Sequence, residues 1–233
     1  MPERTRIPKL RHYRIVGAGM IGGTLTRRLT ALGHEVSVAN SRAPETLAEL
    51  AEETGAHAVW MPDAPRDAEL VIVTIPEYRV PDLPADLLAP AAAGFVLVDT
   101  GNYDPQQRDG EIAAIEQGTP ESRWVEEQLG HPVIKVFNNI YFQHLLERGL
   151  PAGAEERIAL PVAGDDETAK ALVMALVDEL GFDPVDAGEL GESWRQQPGT
   201  PVYGTDLDAD GVRRALAQAS PERPPAFRAD GAA

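Results

Sequence analysis

Residues 13–23 read YRIVGAGMIGG. Tyr13-Arg14-Ile15-Val16 has the β-branched, apolar character of a short strand, and it runs straight into a glycine cluster. A helical pattern follows over residues 21–32, with Ile21, Leu25, Leu29 and Leu32 on one face and Gly33 placed to stop it. Residues 35–39 then read as a second strand. This is a β-α-β unit of ordinary length, and Gly17, Gly19 and Gly22 match G-x-G-x-x-G at its turn. In that setting each glycine has a mechanical role. The first permits the tight turn, the second lets backbone approach a pyrophosphate, and the third lets helix and strand pack closely. The helix N-terminus offers unpaired N–H groups to the anion. Dinucleotide binding by Gly17, Ala18, Gly19, Met20 and Ile21 is the expectation; a glycine-rich turn serving helix packing alone is the plainer alternative.

The end of the second strand selects the nucleotide. A carboxylate there accepts from a ribose 2′-hydroxyl and repels a 2′-phosphate. This chain has Asn40, Ser41 and Arg42 instead. An amide, a hydroxyl donor and a forked cation suit a phosphate monoester, so NADP is expected over NAD. Arg27 and Arg28, on the helix between, read as solvated surface.

Helical and strand patterns continue to alternate. A helix is expected over 44–54, with strands over 56–60, 69–75, 94–99 and 132–137. The runs around 71–75 and 95–98 are continuously apolar, as in parallel strands covered on both faces. Beyond them come strands over 157–162 and 184–186 with a helix over 166–180 between. The fold class is therefore α/β, a Rossmann-type doubly wound parallel sheet with a short mixed α/β C-terminal part. The divisions are 12–140 for nucleotide binding, 141–220 for a small substrate or dimerisation part, and 1–11 and 221–233 for flexible tails. Ligands of open parallel sheets sit beyond the carboxyl ends of the strands, which adds Thr74, Ile75 and Pro76 to the cofactor lining. Asp99 fits either that lining or the capping of its own loop.

The chain has 233 residues, 43% hydrophobic and 25% charged, and no cysteine. Disulfides, zinc–thiolate centres and thiol nucleophiles are excluded. The 37 acidic residues outnumber the 21 basic ones, for a formal charge of −16. That opposes nucleic-acid or anionic-membrane partners, which need a positive contact surface. No apolar run approaches a membrane span of ~20 residues, and the basic lead-in carries no signal-peptide core. A cytoplasmic protein acting on a small molecule is expected, with no metal; a homodimer is compatible.

The segments GAGMIGG (17–23), ANSR (39–42), TIP (74–76), VIKVFNN (133–139) and PVAGDDETAK (161–170) together resemble the NADP-dependent oxidoreductases of the coenzyme F420 (deazaflavin) type. Their dinucleotide-binding domain also occurs in the cytoplasmic part of membrane ferric reductases. The resemblance covers about residues 12–190. It implies hydride transfer between NADPH and a deazaflavin or flavin partner, catalysed by binding and orientation with no nucleophile. It also implies that Phe137, Asn138 and Asn139 lie beside the nicotinamide, Asn138 on the cofactor and the other two on the substrate side; the alternative is that the amides cap a following helix. No catalytic residue is identified. His131 and His144 read as surface groups, and Lys135 as a lysine emerging at the sheet edge.

Two stretches depart from the small deazaflavin enzymes: an acidic, polar insertion over 102–130, and residues 192–203, ESWRQQPGTPVY. The second concentrates Trp194 and Tyr203 and suits a loop closing on substrate, or one packing back on the core. Small carbonyl compounds remain an acceptor class. A β-hydroxyacid or imine dehydrogenase relative would share the N-terminal domain but usually adds a long helical domain, for which this C-terminal part is too short. A non-catalytic NADPH-sensing module is the remaining alternative.

Overall fold

The computed structural model describes residues 12–229. The expected tail 1–11 and residues 230–233 lie outside the described residues. The chain runs β1 (His12–Val16), α1 (Met20–Ala31), β2 (Glu35–Ala39), a 3₁₀ turn (Pro44–Leu47) leading into α2 (Ala48–Thr54), then β3 (His57–Ala58), β4 (Leu70–Val73) and β5 (Val96–Asp99). Next come α3 (Ala113–Glu116), α4 (Glu121–Leu129), β6 (Val133–Lys135), α5 (Phe142–Glu147), β7 (Ala159–Val162), α6 (Glu167–Glu179), β8 (Asp183–Asp186) and α7 (Ala209–Gln218). Six strands form one parallel sheet in the order β3-β2-β1-β4-β5-β6. The order reverses between β1 and β4, the switch point where open α/β sheets bind ligands. The expected doubly wound Rossmann-type sheet is the observed one.

Register explains why the site residues converge. Val16 is paired with Ala39 on one side and Val73 on the other, Val73 with Asp99, and Asp99 with Lys135. These five residues form one rank across the sheet. The residues that follow them, Asn40, Gly17, Thr74, Thr100 and Val136, therefore emerge along a single carboxyl edge.

The apolar strands are buried on both faces. Tyr13, Ile15, Leu70 and Ile72 enter one hydrophobic cluster, while Val16, Val71 and Val73 enter another. The first cluster continues without a break into Leu160, Val162, Val173, Val177 and Phe182 of the C-terminal part. β7 and β8 pair in parallel, and an antiparallel bridge between Lys135 and Ala163 joins them to the main sheet. The boundary near residue 140 is thus one of chain order; the core crosses it. No helix among the described residues is long and apolar enough to cross a membrane.

Two expectations are corrected. Residues 221–229 do not behave as a flexible tail. They carry a 3₁₀ turn (Pro225–Phe227), and Arg223 forms an ion pair at 2.8 Å with the buried Glu121. The expected helix over 44–54 is divided, because its first turn is 3₁₀ and only Ala48–Thr54 is α-helical. Its stop at Gly55, at φ +76°, is as expected.

Candidate functional site at the carboxyl edge

The three fingerprint glycines prove to be unlike one another. Gly17 adopts φ +110°, and a Cβ there would collide with the Thr74 carbonyl. A Cβ on Gly22 would collide with the Gly17 carbonyl. These two are fixed by packing of the loop on β4 and of α1 on the loop. Gly19 differs: a Cβ there meets nothing within 4 Å. It is the N-cap of α1, with extended backbone and no side-chain cap, and the first turn holds no acidic residue. Its amide and those that follow stand at the positive end of a 12-residue helix. That is the geometry an anion requires. Ala18 and Ile21 pack on the core beneath, while Met20 stands exposed at the rim.

Beside this loop lies the turn after β2. Ser41 and Arg42 are exposed. Among the described residues Arg42 has no carboxylate partner, so its guanidinium is available for a phosphate. Asn40 has a different role from the expected one. Its Oδ1 accepts from the Arg42 amide at 2.8 Å and its Nδ2 donates to Thr46 Oγ1 at 3.0 Å. The amide shapes the turn that presents Ser41 and Arg42. Arg27, expected as solvated surface, forms a two-pronged pair with Glu53 at 2.7 and 2.6 Å. Arg28 donates to the Leu146 and Leu180 carbonyls and ties α1 to the C-terminal part.

Thr74 and Ile75 abut the glycine loop, Pro76 follows them, and all three are half-buried. After β6 two assignments change. Phe137 is fully buried in the core at φ +64°, so its ring lines no open pocket. Asn138 has its amide fully engaged: Nδ2 donates to Gln196 O at 2.7 Å and Asn102 Oδ1 at 3.0 Å, and Oδ1 accepts from Gln196 Nε2 at 3.0 Å. It clamps residues 102 and 196 to the end of β6. Asn139 is the amide left open, since both its side-chain polar atoms are buried without a partner. A non-glycine residue at positive φ and, two positions on, an orphaned amide mark a functional constraint at this strand end.

Trp194 and Tyr203 do not meet. Trp194 lies under the Arg195 guanidinium, 4.3 Å above its ring, on the wall of a cavity facing the C-terminal segment. Tyr203 is half-buried on the carboxyl edge, where the next residue, Gly204, donates to the Asn139 carbonyl at 2.9 Å. Burial first, and the charges of Glu121 and others next, raise the Tyr203 phenol above its ordinary value. It stays a hydrogen-bond donor at neutral pH. His131 stacks on Phe95, and His144 is held by Asp206 at 2.8 Å.

Beneath the loop after β5 lies a charge cluster that sequence reasoning missed. Lys135 is fully buried, contrary to the expected edge lysine: its backbone bridges Ala163 and its ammonium is held by Asp99 and Gly101. Its Nζ donates to Asp99 Oδ2 at 3.0 Å and to the Gly101 carbonyl at 2.6 Å. Asp99 also accepts from Gly101 N and Ser122 Oγ, which is the loop-capping reading. Burial opposes the lysine charge, but Asp99, Glu77 and Glu121 outweigh it and raise its affinity for the proton. Glu77 is fully buried beside them with neither carboxyl oxygen hydrogen-bonded. The one sequence signal was a lysine inside an otherwise apolar parallel strand.

Glu77 makes stability depend on pH. Burial first and Asp99 next push its carboxyl well above the carboxylate range, with Lys135 pulling the other way. The native state thus keeps a proton that the unfolded chain releases. The stabilisation is complete below the unfolded value of about 4.3 and is lost as pH rises through the native one. Glu77→Gln keeps a neutral group of the same shape. Its melting temperature is expected to fall less than the parent's between about pH 5 and about pH 8; parallel curves in thermal melts contradict this.

Residues 13–103 match the family described as NADP oxidoreductase, coenzyme F420-dependent. The crystal structure of the hypothetical protein SMa0349 from Sinorhizobium meliloti is similar at 30% identity and a TM-score of 0.71, over 85% of this chain and 95% of that one. A proposed F420-dependent NADP-reductase from Arthrobacter sp. FB24 shares the fold at 24% identity and a TM-score of 0.65, over 79% of this chain and 87% of that one. The Escherichia coli (strain K12) protein YjhV is 49% identical over 67 residues, 29% of this chain and 49% of its own length. The chain therefore matches about half of that relative.

Proposed function

Since residues 13–103 match the family of coenzyme F420-dependent NADP oxidoreductases, we propose that the chain transfers a hydride between NADP(H) and a planar acceptor of the deazaflavin or flavin type. A small carbonyl compound is the second acceptor class. The observation that carries the cofactor assignment is the combination of an open Gly19 at a bare helix N-terminus with Arg42, which has no carboxylate partner among the described residues. One site accepts the diphosphate and the other the 2′-phosphate.

NADPH, when bound, supplies the hydride from its nicotinamide ring. The chain's own groups bind and orient. Gly17, Ala18, Gly19, Met20 and Ile21 cradle the diphosphate, and Thr74, Ile75 and Pro76 flank the ribose. The unpaired amide of Asn139 has the donor and acceptor that a carboxamide needs, and holding that group fixes which ring face is presented. Tyr78 and Tyr141 stand exposed near the same edge, at 45% and 58%, with Tyr203 half-buried close by. Aromatic side chains of this kind suit a flat ring. The protonated Tyr203 phenol is the group available to donate a hydrogen bond to a reduced acceptor.

Calorimetric titration with NADPH and NADH tests the reading. The parent is expected to prefer NADPH, and Arg42→Ala to weaken NADPH by about ten- to a hundredfold, the range of a charged hydrogen bond, with NADH unchanged. Equal losses for both nucleotides, or a parent that prefers NADH, would sink it.

A further inference from the structure

A cavity of the described residues lies away from the dinucleotide edge. It encloses about 690 Å³, within the range of small-molecule sites. It lies between the turn after α3, the segment around Trp194–Thr200, and the chain after α7. None of the glycine-loop, 40–42 or 74–76 residues lines it.

The last described residues build its outer wall and are firmly attached. Arg223 Nη2 donates to Glu121 Oε1 at 2.8 Å and Gln197 Oε1 at 3.1 Å. Gln106 Nε2 donates to the Pro225 and Arg228 carbonyls, and Ala229 N donates to Glu116 Oε1. Gly199, at φ +87°, has no Cβ because Phe227 and Pro224 sit directly against it.

This wall leaves donors unused. Gln197 is 7% exposed, and its Nε2 is buried without a partner. Arg223 Nη1, on the adjoining side chain, is likewise buried and unpaired. Arg228 donates through Nε to Arg223 O but pairs with no carboxylate among the described residues. These groups present only N–H, so whatever satisfies them must supply acceptors. Two acids also line the cavity: Glu116, engaged by Ala229 N, and the exposed Glu222. They disfavour a multiply charged anion such as phosphate. Trp194, Pro198 and Pro224 give the remainder an apolar surface.

We propose that this cavity binds a small organic monocarboxylate on an apolar body, its carboxylate at the wall formed by Gln197, Arg223 and Arg228, where a small shift of the Gln197 amide brings its unpaired N–H to the ligand. The site is independent of the hydride-transfer reading.

The test uses the full chain and calorimetric titration with benzoate and phenylacetate, with benzamide as the neutral counterpart and inorganic phosphate as a second anion. Gln197→Leu and Arg228→Gln leave the Arg223–Glu121 pair intact; thermal melts and NADPH titration check that each variant is folded. One of the two carboxylates is expected to bind saturably, at least about tenfold tighter than benzamide, and to lose about tenfold in each variant. Saturating NADPH is expected to leave this affinity unchanged. Four results overturn the proposal: no saturable binding of either carboxylate, equal affinity for benzamide, affinity unaltered in both variants, or displacement by NADPH. Tighter binding of phosphate overturns the ligand class.

Discussion

Gly19→Val is expected to lose at least about a hundredfold in NADPH affinity, roughly 2.7 kcal/mol, with little change in melting temperature. The two halves of this result have separate causes. Gly19 sits at φ −74° and ψ −159°, a conformation open to valine, and a Cβ there touches nothing. Surface substitutions of that kind stay within about 0.5 kcal/mol of the parent in stability. The same isopropyl group would stand where the diphosphate must approach the helix N-terminus. Gly17→Ala and Gly22→Ala reverse the pattern, since each places a methyl on a backbone carbonyl and loses the fold along with the ligand. Calorimetry with NADPH, paired with a thermal melt, separates the cases. A Gly19→Val protein that binds NADPH as the parent does would remove the diphosphate from this loop.

The other large effect is at Lys135. Lys135→Met is expected to destabilise the protein by about 3–5 kcal/mol, because it leaves Asp99 and the Gly101 carbonyl buried without their cation. For a chain of this size that lowers the melting temperature by on the order of 10 °C. Burial decides the magnitude, since an exposed pair of the same length contributes about 0–1 kcal/mol. Asp99→Asn combined with Lys135→Met should cost less than the sum of the single changes, as partners in one network do. Denaturant unfolding of the four proteins measures the coupling. A single-variant loss below about 1 kcal/mol would mean that the cluster is solvated and not sealed beneath the loop.

Much of the sheet was legible because its signals are local. Continuous apolar runs, a glycine cluster between strand and helix, and Gly33 and Gly55 at helix ends each act within a few residues. The doubly wound class follows from them and the right-handed crossover rule; the strand order itself came with the structure. What was not legible depended on distant partners. Lys135 reads as an edge lysine until Ala163 bridges its backbone and covers the strand. Residues 221–229 have the composition of a loose tail, yet Arg223 finds a buried carboxylate 102 positions earlier. Asn138 and Asn139 are identical in sequence, and only the arrival of Asn102 and Gln196 decides which amide is engaged and which is left without a partner. Trp194 and Tyr203 look like one aromatic loop, but the intervening prolines and Gly199 turn the chain so that they serve different surfaces.

The central claim is hydride transfer, and single-turnover mixing tests it most directly. The protein is loaded with NADPH and mixed with oxidised coenzyme F420, and in parallel with a flavin, while nicotinamide and acceptor absorbances are followed together. The account predicts that NADPH is consumed in step with reduction of one acceptor, and that Gly19→Val abolishes the transfer. Tight NADPH binding with no oxidation by either acceptor would contradict transfer to a deazaflavin or flavin, and would leave a carbonyl reductase or a protein that senses the nucleotide without using it.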